Sequence, residues 1–263
     1  MAESITVTGM ILSAQPNKEY DRRLVLLTKE RGKISVFANG VRRPTAMLSG
    51  CSQPFVFGKF TLYEGRDSYT LQAVEPENFF AELRTDLEAV YYGVYFCEFA
   101  ETVTREGLPA KEELKVLYRS LGALLKKSIG VELVRAIFEL KMLSVGGISP
   151  QVYECVKCRK KEDLHWFSAK SGGCVCKSCA DKLWEEEVHA GGQNEGLTVG
   201  ERYLPMSGST LYTMQYILAT PIESLYTFTV TEDVLSQLKK ILKEFTDLHI
   251  GRKFKSLEML ELL

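Results

Sequence analysis

The motifs by which most enzymes are identified are missing from this chain of 263 residues. It has no glycine-rich phosphate loop followed by Lys-Ser or Lys-Thr, no Gly-x-Ser-x-Gly nucleophile elbow and no His-Glu-x-x-His zinc motif. It has only three histidines, His165, His189 and His249, and no two of them stand at the spacing of paired ligands. Nothing therefore supports catalysis, and we expect a binding protein rather than an enzyme, with no small-molecule substrate.

Long apolar runs and a secretory leader are missing as well. No apolar stretch approaches the ~18 residues that cross a bilayer. Met1 is followed after a few residues by a strand-like pattern instead of a signal sequence. We therefore expect a cytoplasmic protein without a membrane partner, in a reducing compartment where paired cysteines favour metal over disulfides.

The formal net charge of −1 hides an uneven distribution of charge along the chain. Residues 15–50 are rich in lysine and arginine, whereas residues 75–106 are rich in glutamate. Separate basic and acidic faces indicate more than one kind of binding partner.

Cysteine is concentrated in two Cys-x-x-Cys pairs, Cys155 with Cys158 and Cys176 with Cys179. Each pair places two thiolates on one tight turn, and two such turns form a tetrahedral cage for Zn²⁺. Four thiolates leave no open coordination position, so the predicted zinc ribbon or knuckle is structural rather than catalytic. Two alternatives stay open: Cys174 as a ligand in place of Cys176, and disulfides or free thiols in place of metal.

The first 78 residues show the period-2 alternation of β-strands. Five short alternating segments are separated by turn residues, including a hairpin turn at residues 30–33. Gly58 lies inside the fourth segment and predicts a bulge or barrel bend. Five strands in so short a stretch predict a barrel of the OB type, with an SH3-like barrel as the nearest alternative.

After Pro76 the hydrophobic period changes to that of helices. We predict an α+β multi-domain protein: an OB barrel in residues 1–78, then an all-α domain into which the zinc module is inserted. The helical domain would occupy residues 79–150 and 184–263, and the zinc module residues 151–183. A loop or linker is expected near residues 185–194.

The basic residues of the barrel segment fit a nucleic-acid surface. OB barrels hold single strands in a groove with cations on phosphates and aromatic rings under bases. Tyr20, Phe37 and Tyr69 are candidate stacking rings, although core packing is the other interpretation of each. A solvated charged surface, or an RNA-binding or transcription-associated zinc protein, remains an alternative. The candidate cations are Arg22, Arg23, Lys29, Arg31, Lys33, Arg42 and Arg43.

The order of these parts resembles the RecO family of bacterial DNA repair and recombination mediators, essentially from end to end. The resemblance rests on the order and spacing of several short motifs rather than on any one of them. These are Glu19-Tyr20-Asp21-Arg22, Gly40-Val41-Arg42-Arg43-Pro44, Ile137-Phe138-Glu139-Leu140-Lys141, Gly147-Ile148-Ser149-Pro150, the two cysteine pairs and Gly251-Arg252-Lys253-Phe254.

The resemblance implies a function that composition does not. RecO-like proteins bind single- and double-stranded DNA and anneal complementary strands without ATP. With RecR they help load RecA onto DNA coated by single-strand-binding protein, whose acidic C-terminal tail they bind through the helical domain. By this resemblance the seven barrel cations become DNA contacts, Arg135 and Lys141 become candidates for the tail pocket, and the protein acts at the bacterial nucleoid.

Overall fold

The computed structural model describes residues 3–66, 68–182 and 202–260. The chain divides into two compact units, Met1–Phe138 together with Phe254–Leu263, and Glu139–Lys253. The linker expected near residues 185–194 lies outside the described residues. No helix among the described residues combines the length and the apolar character needed to cross a membrane.

A closed five-stranded barrel forms the N-terminal part of the first unit. Its strand order is β1-β2-β3-β5-β4, in which β3 pairs parallel with β5 and the other neighbours are antiparallel. This arrangement confirms the predicted OB-type barrel. The strands are β1 (Glu3–Asn17), β2 (Asp21–Thr28), β3 (Gly32–Ala38), β4 (Phe57–Glu64) and β5 (Tyr69–Asn78).

Two features of the sequence allow this barrel to close. β1 is 15 residues long and pairs with both β2 and β4, and its pairing with β2 shifts register between Ile11 and Ser13. At Gly58 the pairing of β4 with β5 shifts register, which confirms the predicted bulge. A Cβ atom at Gly58 would lie 2.2 Å from the carbonyl oxygen of Glu75, so only glycine permits this close approach.

The helices of the first unit pack around aromatic side chains. Asp86 caps the first helix by accepting a hydrogen bond from the Ala89 amide. The rings of Phe96 and Phe138 stack with their centroids 4.0 Å apart, and Phe254 contacts Phe99 at 5.4 Å. Most aromatic residues of the first helix are therefore buried in the core. The helices are α1 (Leu87–Val103), α2 (Lys111–Lys126), the first part of α3 (Val131–Val145) and α7 (Lys255–Leu260).

The β2–β3 hairpin tip is joined to the segment that follows α1. The Lys33 amide donates to the Arg105 carbonyl at 3.2 Å, and the Gly107 amide donates to the Arg31 carbonyl at 3.2 Å. Gly32 lies between them with φ +65°, and a Cβ there would approach the Leu108 carbonyl oxygen to 2.1 Å. The glycine thus serves both the turn and the contact between barrel and helices.

The second unit combines a small sheet with helices. Thr231 caps α6 (Glu232–Ile250), because its side chain accepts a hydrogen bond from the Val234 amide. The strand β8 (Tyr203–Pro205) was not predicted, since three residues are too few for an alternating pattern. The sheet order is β7-β6-β8. The other elements are β6 (Leu164–Ser168), β7 (Gly173–Cys176), α4 (residues 177–182), α5 (Gly208–Ala219) and α6 (Glu232–Ile250).

We predict that Gly32→Ala destabilises the protein. The added methyl group meets two carbonyl oxygens, those of Leu108 and Arg105, in a backbone conformation that L side chains rarely adopt. The expected loss in the free energy of unfolding is about 1–3 kcal/mol, measured by urea denaturation. The matched control is Gly122→Ala within α2, where a Cβ atom has no neighbour within 4 Å and alanine is expected to stabilise the helix. Equal stability of the two variants would contradict the close approach.

Candidate functional site

The structure brings the four paired cysteines together in the second unit. The sulfur atoms of Cys155, Cys158, Cys176 and Cys179 all lie within 4.8 Å of one another. A tetrahedral zinc site with Zn–S bonds of ~2.3 Å requires sulfur–sulfur separations of roughly 3.8 Å, and the Sγ atoms of Cys158 and Cys176 are 3.6 Å apart. The donor set and its spacing therefore fit a thiophilic metal ion such as Zn²⁺.

Local backbone geometry positions each pair of thiols. In the first pair, the Arg159 amide donates to the Cys155 carbonyl at 2.8 Å and the Cys155 amide donates to the Lys160 carbonyl at 2.7 Å. Arg159 takes φ +64°, which closes this tight turn. In the second pair, Cys176 ends β7 and Cys179 lies in α4. The Cys176 amide donates to the Cys155 sulfur at 3.4 Å, so the two halves of the cluster are directly linked.

The electrostatics of the cluster favour some thiolates and oppose others. Burial raises the pKa of Cys176, but hydrogen bonds from the Ser178 hydroxyl and the Cys179 amide outweigh it and lower that pKa to about 6. The pKa of Cys179 is raised to about 12, by burial first and then by its contacts with Cys158 and Cys176. Four thiolates can therefore coexist here only beside a compensating cation.

Cys174 lies between the two pairs in sequence but outside the group of four sulfurs. It is buried on β7, and its pKa is raised to about 12 by burial and then by the charge of Cys155. The geometry thus favours Cys176 over Cys174 as the fourth ligand.

The seven candidate cations of the barrel fall into two separate groups. Arg23 and Arg31 lie near opposite ends of the β2–β3 hairpin, roughly 20 Å apart at ~3.3 Å per strand residue. We call the group at the β1–β2 turn and the β3–β4 loop the loop-end group, and the other the hairpin-tip group. The loop-end group contains Arg22, Arg23, Arg42 and Arg43, and the hairpin-tip group contains Lys29, Arg31 and Lys33.

Within the loop-end group, Arg42 and Arg43 are exposed beside the β1–β2 turn. The Arg42 amide donates to the Tyr20 carbonyl at 2.9 Å, and its guanidinium donates to the Lys18 carbonyl at 3.4 Å. The guanidinium of Arg43 lies 5.5 Å from the centroid of the Tyr20 ring. These contacts hold the turn and the loop side by side and leave both arginines facing solvent.

Arg22 has a structural role that its sequence position does not reveal. Its guanidinium donates to the Ser52 hydroxyl at 2.8 Å and to the carbonyl oxygens of Ser49 and Ser52 at 3.3 and 3.2 Å. Burial, and secondarily the charge of Arg42, lowers the pKa of Arg22. This arginine therefore fastens the base of the β3–β4 loop to β2.

Arg23 lies on the outer face of the barrel, where OB folds bind oligonucleotides. It is exposed, and its Nε donates to the Ser35 hydroxyl at 2.8 Å across the strand pair. Its partner in register is Phe37, whose ring is half-buried. Arg23 and Phe37 thus place a cation and an aromatic ring next to each other on this face.

The hairpin-tip group is engaged mostly with the protein itself. Lys33 donates its ammonium to the Glu101 carbonyl in α1 at 2.7 Å and is half-buried. Arg31 forms an ion pair with Glu64 at 3.5 Å. Lys29 is exposed, as is Arg66 in the β4–β5 turn, a cation that the sequence did not single out. Lys29 and Arg66 are therefore the more accessible cations at this end of the barrel.

The candidate rings also differ in position. Tyr20 is 41% exposed, so its ring can reach a ligand. Tyr69 instead packs against the barrel core and donates its hydroxyl to Glu64 at 3.2 Å. Burial and then the Glu64 carboxylate raise the pKa of Tyr69. Core packing, the other interpretation, therefore fits Tyr69, whereas Tyr20 and Phe37 remain candidates for stacking.

The two residues expected in a partner-tail pocket lie on α3. Arg135 is half-buried, with its guanidinium 5.3 Å from the ring centroid of Tyr95. Lys141 donates its ammonium to the carbonyl oxygens of Ile217 and Leu218 at 3.0 and 2.8 Å, at the C-terminal end of α5. Burial lowers the pKa of Lys141. This geometry gives Lys141 a clear role in holding a helix end.

Comparison with known protein families covers nearly the whole chain. The model described as Recombination protein O N terminal matches residues 1–80, and the one described as Recombination protein O C terminal matches residues 84–258. A DNA repair protein RecO from Alkaliphilus metalliredigens is 31% identical over 97% of this chain and 98% of its own. Another, from Acetivibrio thermocellus, is 26% identical over 98% of this chain and 97% of its own.

The two family models together span the barrel, the helices and the cysteine pairs. A third DNA repair protein RecO, from Bacillus pumilus, is 33% identical over 66% of this chain and 68% of its own. The resemblance inferred from the motifs is thereby confirmed, and the chain belongs to the RecO family of DNA repair and recombination proteins.

Proposed function

We propose that this protein is a recombination mediator that binds single- and double-stranded DNA and anneals complementary strands without ATP. It would also help to load recombinase onto DNA coated by single-strand-binding protein, in the cytoplasm at the nucleoid. The observation that carries the proposal is the exposed part of the loop-end group, Arg23, Arg42 and Arg43, beside the accessible ring of Tyr20.

The contacts of these residues support binding to the DNA backbone in preference to reading of base edges. The Arg42 amide donates to the Tyr20 carbonyl and the Arg43 amide to the Gly40 carbonyl, so the backbone that carries both arginines is held in place. The guanidinium groups contact the Lys18 carbonyl and the Tyr20 ring. Phosphate contacts fix orientation without reading sequence. Annealing requires only this, because the protein neutralises two repelling backbones and leaves base edges free to pair.

For the cysteine cluster, we propose a structural Zn²⁺ held by Cys155, Cys158, Cys176 and Cys179. When bound, the ion would balance the charge of the thiolates and cross-link the 155–160 turn to β7 and α4. Four sulfur ligands saturate a tetrahedral ion and leave no position for a substrate. The cluster would therefore stabilise the local fold without taking part in chemistry.

Protein partners complete the proposed function. RecR, the RecA pathway and the acidic C-terminal tail of single-strand-binding protein are the partners implied by the family. Of the two α3 candidates for the tail, Arg135 is the better ligand for a carboxylate, because a planar guanidinium can form two parallel hydrogen bonds to one carboxylate. Lys141 donates to two carbonyl groups at the end of α5. We propose Arg135 as the tail contact and Lys141 as a residue that maintains the shape of the second unit.

We predict that replacing Arg42 and Arg43 together by alanine weakens DNA binding across all sequences and flattens its salt dependence. Each lost phosphate contact on a single strand reduces the slope of log K against log salt by ~0.7, so the double variant should lose about 1.4. The measurement is anisotropy of labelled single-stranded DNA at several salt concentrations. Lys111→Ala with Lys126→Ala on α2 removes the same charge and should leave the slope nearly unchanged. If the arginine variant keeps the wild-type slope of log K against log salt, DNA binds elsewhere on the protein.

We predict that Cys176→Ala abolishes stoichiometric zinc binding and that Cys174→Ala retains it. Only Cys176 belongs to the four-sulfur group, whereas Cys174 is a buried strand residue. Metal content by mass spectrometry and thiolate charge-transfer bands of the cobalt-substituted protein provide the measurements. The reverse result, with zinc lost only from Cys174→Ala, would put Cys174 in the ligand set.

We predict that Arg135→Ala weakens binding of an acidic, apolar tail peptide by roughly tenfold or more, as expected for loss of a charge-assisted hydrogen bond. Isothermal calorimetry measures the affinity, and thermal melting checks the fold. Lys141→Met is expected to lower the melting temperature, because it removes the donor at the end of α5. Tail affinity that depends on Lys141 and not on Arg135 would reverse the two roles.

A further inference from the structure

Met47 stands out among the apolar side chains on the surface. It is 96% exposed, whereas the other exposed large hydrophobic residues that the structure describes are between 39% and 67% exposed. Single exposed apolar residues are ordinary on protein surfaces, and most of them still bury part of the side chain. Met47 contacts almost nothing of its own protein.

The exposure of Met47 results from the construction of the β3–β4 loop. Val41 is buried in the barrel core and Leu48 packs against that core, so both ends of the segment 42–47 are anchored. Consecutive turns fill the interval, with amide-to-carbonyl bonds from Ala46 to Arg43 at 3.0 Å and from Ser49 to Ala46 at 3.1 Å. The Arg22 guanidinium fastens the base of the same loop. Met47 is therefore exposed on a loop that is anchored at both ends.

The surroundings of Met47 indicate the chemistry of its ligand. Residues 39–56 contain Arg42 and Arg43 and no aspartate or glutamate. Met47 follows Arg43 by four residues, a reach of at most ~14 Å along the chain. An exposed apolar side chain on the same loop as two exposed cations suits a ligand that combines negative charge with flat apolar faces. Single-stranded DNA has both, in its phosphates and its unstacked bases.

We propose that Met47 packs against the base faces of single-stranded DNA while Arg42 and Arg43 bind its phosphates. The inference rests on the proposed DNA binding and adds a base contact to it. A methionine side chain is flexible and polarisable, so it adapts to any base without reading its edge. In a duplex the base faces are covered by their neighbours, so the contact favours single strands over duplex and leaves pairing edges open for annealing.

The test compares Met47→Ala with Met47→Leu, and uses Met259→Ala in α7 as the control for loss of an exposed methionine. Binding is measured to a single-stranded oligonucleotide and to an abasic strand of equal length, which has phosphates without bases. We expect Met47→Ala to bind the normal strand about five-fold more weakly, within the range seen for base stacking contacts. On the abasic strand the change should stay below about two-fold, and Met47→Leu should retain most of the affinity.

The salt slope separates this contact from those of the arginines. Met47→Ala removes no charge, so its slope should equal that of the wild-type protein. Unchanged affinity for the normal strand, or an equal loss on both strands, would overturn the base contact while leaving DNA binding intact. The base contact would also be overturned if Met47→Ala weakened only the binding of an acidic, apolar peptide, because the loop would then be a protein-docking site. Failure of the wild-type protein to bind either strand would overturn the proposed function itself.

Discussion

Closure of the N-terminal barrel is the constraint on which the arrangement of the first unit depends. β1 pairs along its length with β2 and β4, and the short parallel pairing of β3 with β5 completes the ring. A closed ring has no free edge, so the connections between strands must emerge at its two ends. This brings the β1–β2 turn and the β3–β4 loop to the same end, where Tyr20 and Arg42 share a hydrogen bond.

The barrel also shows that positive charge in a sequence serves two different purposes. Arg22 and Lys33 direct their charged groups at backbone carbonyl oxygens of their own unit, and in the second unit Lys141 does the same. A partly buried cation without such acceptors would be costly, so these residues are committed to the fold. Arg23, Arg42 and Arg43 stay exposed, and we propose that they provide the charge that binds a phosphate backbone.

The position of each cysteine pair depends on the local backbone. Each Cys-x-x-Cys pair is placed by a turn or a strand end a few residues long, and one amide-to-sulfur hydrogen bond links Cys176 to Cys155. Burial raises the pKa of Cys179, and its contacts with Cys158 and Cys176 raise it further, whereas hydrogen bonds lower the pKa of Cys176. A bound cation would compensate the charge of closely spaced thiolates, and four sulfur atoms at this spacing fit the ligand set of a tetrahedral metal ion.

The amino-acid sequence by itself determined the strand and helix periods, the Gly58 bulge, the Thr231 cap and the pairing of cysteines, because each depends on residues close together in the chain. The motif order was also enough to predict the family. Only the tertiary structure decided which cations face solvent, that Tyr69 joins the barrel core, and that Lys141 holds the end of α5. Those outcomes depend on contacts between residues that are distant in sequence, such as β3 with β5 or Lys141 with Ile217, and no local pattern records them. Exposure of Met47 belongs to the same class, since it follows from the anchoring of Val41 and Leu48 in a core formed by other strands.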